Sequence, residues 1–260
     1  MPFKHIGNLR CYQFAHLDAN QVIHGVFTRH GGVSPEPWKS LNVGATVGDD
    51  LDRVKENTQR VLQAMGCTRS SLFNVWQVHQ AKVLVADKPR EGKLGIPKAD
   101  AVITNNPQIT LFMRFADCVP LYFFDPEQSA IGLAHAGWKG TLERIAQKTI
   151  HAMEKEFGSQ PENIKAGIGP SIGPDHYEIQ EDVMRQFRKA FPESFPRFFV
   201  KEDGKVRLDL WEANRFLIKQ AGAQDVEIAG VCTACHPQDW FSHRAENGKT
   251  GRFGAIFRLR

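Results

Sequence analysis

One stretch constrains the fold more than any other: residues 99–140, ADAVITNNPQITLFMRFADCVPLYFFDPEQSAIGLAHAGWKG. It holds two apolar runs, 110–125 and 131–136, that read as buried strands. The first is too continuously apolar for a strand with one face in water, so it requires cover on both faces. Cover of that kind, with helical spacing on either side, places the chain in the α/β class. Pro120 cannot donate to a sheet ladder and predicts an irregularity just after Cys118. Each run also carries a residue that a buried strand does not need: Cys118 after Ala116-Asp117, and His135 between Ala134 and Ala136. Gly137-Trp138-Lys139-Gly140 follows directly, then a helix. Strand ends that run into glycine-rich turns are where α/β proteins place their chemistry.

The remaining segments build around this stretch. Residues 22–29 read as a strand running into His30-Gly31-Gly32, and Arg29 at its end is a candidate to hold an anion with two parallel hydrogen bonds. Asp49-Asp50 offers an N-cap for a helix with Leu51, Val54, Val61, Leu62 and Met65 on one face and Gly66 as its stop. Residues 73–86 are β-rich with an interruption at His79. Residues 87–98 are polar and contain Pro and Gly, as in a surface loop or lid. The spacing predicts a long helix over 142–157 stopped by Gly158, a strand over 164–173, and a helix over 181–191. A hairpin over 198–208 turns at Asp203-Gly204, and a helix over 209–221 is capped by Asp209. Strands are expected over 226–232, 240–244 and 252–259. No linker or repeat interrupts the pattern, so 1–260 reads as one α/β domain with mixed sheets.

The net charge of +4 over 260 residues is interspersed. That balance argues against nucleic-acid or membrane partners and leaves a small-molecule substrate. The N-terminal segment has no apolar core of the secretory kind, which makes the cytoplasm the expectation. Five cysteines, at 11, 67, 118, 232 and 235, then predict free thiols or metal ligands and not a disulfide framework.

Three groupings could carry chemistry. His79, Cys118 and His135 would make a three-ligand site of the type zinc uses when a fourth position stays open, although their spacing is no motif. Cys118 with His135 would instead make a nucleophile activated by an imidazole. Cys232-Thr-Ala-Cys235-His236 has the form of a haem-attachment string, or half of a zinc site. GIGPSIG, at 167–173, lacks the helix that a dinucleotide fingerprint needs. Ser242 and His243 point to opposite faces if they lie on a strand, so they do not form a triad.

Taken in order, FTRHGGVS, SLNVGATVGDD, WQVHQAKV, ADAVIT, ADCVPLYFFD, IGLAHAGWKGT, GIGPSIGPDHYEI, CTACHPQDWFSHR and GRFGAIF resemble the bacterial YfiH-type proteins. That family also goes by the names laccase-domain protein, polyphenol oxidase and purine nucleoside phosphorylase. The resemblance covers about 22–260. It implies a single-domain layered sandwich with mixed β-sheets flanked by helices. It implies metal ligation by the histidine of QVH, the cysteine of ADC and the histidine of AHAGW, here His79, Cys118 and His135, with zinc as the cofactor and copper as the alternative. It implies phosphorolysis of adenosine, inosine, guanosine and methylthioadenosine, and deamination of adenosine. Alternatives within the resemblance are a copper polyphenol oxidase and a Cys-His hydrolase that edits peptidoglycan precursors through Cys118. Arg29, Lys139 and Arg244 are the candidates for phosphate, from charge and turn context. Two departures stand out: Asp175-His176 where the family often has cysteine, and Lys139 where arginine is common. Cys235 and His236 read as local variation.

Overall fold

The computed structural model describes residues 2–90 and 95–260. In chain order, β1 (Phe3–Ile6), β2 (Leu9–Tyr12) and β3 (Val22–Phe27) precede α1 (Leu51–Ala64). Six strands follow: β4 (Leu72–Asn74), β5 (Val83–Val85), β6 (Ala101–Thr104), β7 (Thr110–Phe115), β8 (Val119–Asp125) and β9 (Ala130–Ala136). Then come α2 (Trp138–Leu142), α3 (Ile145–Phe157), β10 (Lys165–Ile168) and α4 (Glu181–Ala190). The hairpin β11 (Phe199–Glu202) and β12 (Lys205–Leu208) leads to α5 (Leu210–Gln220), β13 (Asp225–Ile228) and β14 (Phe253–Leu259).

Two six-stranded mixed sheets result, ordered β1-β2-β3-β14-β7-β4 and β13-β10-β8-β9-β6-β5. Between them Tyr12, Val26, Leu111, Phe115 and Phe257 of the first sheet meet Tyr122, Phe124, Ile131 and Leu133 of the second. Alternation sends the intervening side chains outward. Leu121, Phe123 and Ala134 pack with Ile150, Phe187 and Leu217 of α3, α4 and α5. On the other side Phe27, Phe112 and Ile256 pack with Val61 and Leu62 of α1. The four layers confirm the expected sandwich and explain why the strand runs lack a polar face.

The helix ends follow their local chemistry. Asp50 caps α1 by accepting from the Asp52 and Arg53 N–H groups, and Asp209 caps α5 by accepting from Glu212. Gly158 closes α3 in the left-handed conformation, where glycine carries no Cβ penalty. Among the described residues no helix is long and apolar enough to cross a membrane.

The structure corrects the sequence reading in four places. Residues 110–125 are two strands in different sheets, because the chain changes sheet at Ala116-Asp117-Cys118 with Asp117 at φ +80. The helix expected over 142–157 breaks at Arg144, whose φ is +63, leaving α2 and α3. Residues 240–244 form turns, not a strand. Trp240 and Phe241 are buried there, and the Ser242 N–H donates to the Glu246 carboxylate. The segment 73–86 also divides between sheets, with β4 in the first and β5 in the second. The loop expected over 87–98 lies partly outside the described residues, and the N-terminal hairpin β1–β2 had no forecast.

Candidate metal centre and its cavity

Two of the chain's changes of sheet, β4 to β5 and β7 to β8, each deliver a ligand-bearing residue to the same place. The β4–β5 crossing carries His79 at φ +58, and the β7–β8 crossing carries Cys118 next to Asp117. His135, near the end of β9, shares the inward face of Ile131 and Leu133. One ligand atom from each of these three residues lies within 4.8 Å of the others. The two imidazole rings meet edge to face at 4.8 Å between centroids, and Phe115 backs His135 at 5.4 Å.

Asp100 organises the group, and the sequence reading passed over it. It is fully buried just before β6. Its Oδ1 accepts from the His79 N–H and from His135 Nδ1, both at 2.9 Å. Its Oδ2 accepts from the Val78 N–H at 3.2 Å and the Gln80 N–H at 2.9 Å. A carboxylate only accepts, so the His135 proton sits on Nδ1 and Nε2 keeps its lone pair. Burial pushes Asp100 up, yet His135 and these N–H groups outweigh it and hold the carboxyl below its usual value. The only sequence signal was an aspartate directly before an apolar strand.

Burial would likewise raise the Cys118 thiol, but His135 and His79 overrule it and lower the pKa. His135 is raised despite burial, because Cys118 and Asp100 favour its cation. Each group thus favours the charged form of the other. Gly137 completes the setting: a Cβ there would stand 3.0 Å from Cys118 Sγ. Two imidazoles and a thiolate, one imidazole oriented by a carboxylate, are a donor set that fits zinc.

The group forms the floor of a cavity of ≈520 Å³, within the range of small-molecule sites. Trp76 and Tyr177 line it with aromatic surface, and Arg114, Arg244 and Arg252 line it with charge. Burial, with Arg90 nearby, lowers Arg114 to about 10, which leaves it charged at neutral pH. Arg252 is also lowered by burial, although Cys118 and Asp117 counter the shift.

The phosphate candidates from the sequence separate. Arg244 lines the cavity and donates to the His176 and Glu178 carbonyls. Lys139 does not line it. It is exposed over the Trp138 ring and borders a smaller hollow on the far side of His79. Arg29 is a structural residue: it is buried, stacks on Phe241, and donates to the Lys39, Pro237 and Trp240 carbonyls and to Glu246. Arg114 and Arg252, which the sequence reading did not name, line the cavity with Arg244. Arg114 sits mid-strand among apolar residues and Arg252 follows a glycine, so neither had the turn context that drew attention to Arg29.

A second group also forms. Asp175, His176, Cys232 and Cys235 bring four ligand atoms within 4.8 Å of one another. The histidine that joins the two cysteines is His176, not the neighbouring His236.

Comparison with known proteins agrees with this architecture. The family described as "Multi-copper polyphenol oxidoreductase laccase" matches residues 23–260. A Deinococcus radiodurans protein named purine nucleoside phosphorylase is 39% identical over 238 residues, 92% of this chain and 89% of its own length. The Bacillus subtilis purine nucleoside phosphorylase YlmD is 35% identical over 242 residues, 89% of this chain and 86% of its own. The crystal structure of YlmD from Geobacillus stearothermophilus superposes with a TM-score of 0.92 at 32% identity, covering 100% of this chain and 99% of that one.

Proposed function

The chain belongs to the multi-copper polyphenol oxidoreductase laccase family, which includes YfiH and YlmD, and from that premise we propose that it is a zinc-dependent purine nucleoside enzyme. It cleaves adenosine, inosine and guanosine with phosphate, giving the free base and ribose 1-phosphate, and methylthioadenosine, giving adenine and 5-methylthioribose 1-phosphate. It also converts adenosine and water to inosine and ammonia. One observation carries the reading: a three-donor metal group forms the floor of a cavity that also holds three arginines and two aromatic side chains.

His79, Cys118 and His135 would hold the zinc, which when bound supplies Lewis acidity and lowers the pKa of water at the site. The other roles belong to the chain. Asp100 keeps the His135 proton on Nδ1 and ties the 78–80 loop in place. Trp76 and Tyr177 offer faces against which a purine stacks. Arg114, Arg252 and Arg244 hold phosphate by charge-assisted hydrogen bonds.

The lowered Cys118 thiol beside a raised His135 favours a second reading, a cysteine hydrolase acting on peptidoglycan precursors. The two separate in a chromatographic assay of zinc-loaded protein with adenosine, with and without phosphate. Adenine formed only with phosphate, and inosine formed in both cases, are expected, with both absent in Cys118→Ala. A zinc-loaded native protein that makes neither product overturns the nucleoside reading and moves the test to peptidoglycan precursors. Copper-loaded protein assayed with a phenol tests the oxidase that the family description names.

A further inference from the structure

β10 and β13 run parallel, and their pairing continues past the strand ends. The Ser171 N–H donates to the Val231 carbonyl, and the Thr233 N–H donates back to Ser171. This continuation sets two loops side by side at the same end of the sheet, one carrying Asp175-His176 and the other Cys232-x-x-Cys235. Four side chains of three chemical types converge there. Cys235 Sγ lies 2.9 Å from Asp175 Oδ2 and 3.4 Å from His176 Nδ1, and Cys232 Sγ lies 3.8 Å from the same nitrogen. His176 Nδ1 is 3.0 Å from Asp175 Oδ2. The Gly173 N–H donates to Cys232 Sγ at 3.2 Å, the kind of backbone support that stabilises a thiolate. All five cysteines are free.

We propose that Asp175, His176, Cys232 and Cys235 form a second zinc site, closed by four protein ligands and structural in role. The separations are already close to those of a tetrahedral site, whose ligands stand about 2.0–2.3 Å from the metal. Two thiol groups favour zinc over the hard cations calcium and magnesium. Binding displaces the thiol protons to solvent. Four ligands leave no position for water, so this metal would not share in the reaction.

Its effect reaches the cavity through the loops it joins. Tyr177, next to His176, lines the cavity wall. Thr233, next to Cys232, donates to Asp117 Oδ1 at 2.7 Å, beside Cys118. Arg244 donates to the His176 and Glu178 carbonyls. A metal here would fasten the Tyr177 loop to the cysteine loop and so fix one side of the substrate site. The proposal does not depend on the nucleoside reading.

The test loads the full-length protein with zinc chloride, removes loose metal by gel filtration, and counts zinc per chain by mass spectrometry. Two zinc ions per native chain are expected, one in Cys118→Ser, one in Cys235→Ser or His176→Gln, and none when the two groups are combined. Cys235 and His176 are exposed, so these replacements leave the core intact, and circular dichroism checks this. Cobalt in place of zinc gives a second readout: Cys235→Ser loses the second metal and with it the contributions of both Cys232 and Cys235, so the thiolate-to-cobalt absorption should fall by about two thirds. One zinc per native chain, lost entirely in Cys118→Ser, would overturn the proposal. So would a cobalt spectrum unchanged by Cys235→Ser, or a Cys232–Cys235 disulfide found in freshly purified protein.

Discussion

Replacing Asp100 with asparagine changes one atom type at the centre of four hydrogen bonds. In the native protein both carboxylate oxygens face donors: the His79 N–H and His135 Nδ1 on one side, the Val78 and Gln80 N–H groups on the other. The amide must turn its NH2 toward one of these pairs. Turned toward Val78 and Gln80, it opposes two donors and frees the loop that carries His79. Turned toward His135, it leaves the His79 N–H unpaired and favours moving the imidazole proton to Nε2, where it occupies the metal-facing lone pair. Either orientation removes at least one hydrogen bond to a charged group, about 1.5–3 kcal/mol, which is about 10–150-fold in an equilibrium constant. That range overlaps the about 10–100-fold typical of removing a group that orients a metal ligand. Zinc affinity measured by competition with a chromophoric chelator at pH 7 should therefore weaken by about 10–100-fold, with the far-ultraviolet circular dichroism unchanged. A folded Asp100→Asn protein with native zinc affinity would refute the claim that this carboxylate organises the donors.

Three further outcomes follow from named contacts. Gly137→Ala should keep α2, because φ −78 suits any residue, yet weaken zinc binding severalfold in the same competition assay, since its Cβ presses on Cys118 Sγ at 3.0 Å. Arg114→Met should raise the KM for phosphate by about 10–150-fold in the nucleoside assay, the loss of one charge-assisted hydrogen bond. Burial lowers His24 from 6.5 to about 4, and its neutral Nε2 accepts from the Phe14 N–H, so the unfolded chain binds a proton that the folded chain refuses between those values. Stability should hold above pH 6.5 and fall as the pH drops toward 4. Urea unfolding at pH 7 and pH 5 should show a loss of about 2 kcal/mol in the native protein that is absent in His24→Gln.

What the sequence disclosed depended on whether the signal was local. The caps at Asp50 and Asp209 and the Gly158 stop are side-chain-to-backbone events within a few residues, and the structure places them where the pattern did. Residues 110–125 were legible as buried but not as two strands. Apolar periodicity reports cover, and both sheets cover this run equally, so the change of sheet at Asp117 leaves no mark in the hydrophobic pattern. The same limit hid Asp100, whose partners come from the 78–80 loop and from His135. It hid the second donor group as well, because parallel pairing past β10 and β13 joins residues some sixty positions apart. Arg29 shows the opposite error: a turn context suggested an exposed anion ligand, while long-range carbonyls from 237 and 240 claim the guanidinium.

The position of the metal group follows from two of the changes of sheet, β4 to β5 and β7 to β8. A chain passing from one layer to the other cannot keep its ladder, so the inter-sheet core ends there and backbone groups lose their strand partners. Asp100 and Asp117 supply the missing acceptors. Asp117 turns the chain in the left-handed region, its carbonyl accepts from the Ile172 N–H, and its carboxylate accepts from Thr233 Oγ1 and the Arg244 N–H. Asp100 does the equivalent at the other crossing by accepting from three successive N–H groups of the 78–80 loop. Each crossing is thus held by an aspartate, and each holds a ligand residue, Cys118 or His79, at the boundary between the apolar core and the cavity. The carboxylates that make the crossings possible also fix the donors, so a variant that repairs the backbone without restoring the carboxylate would keep the sandwich and lose the site.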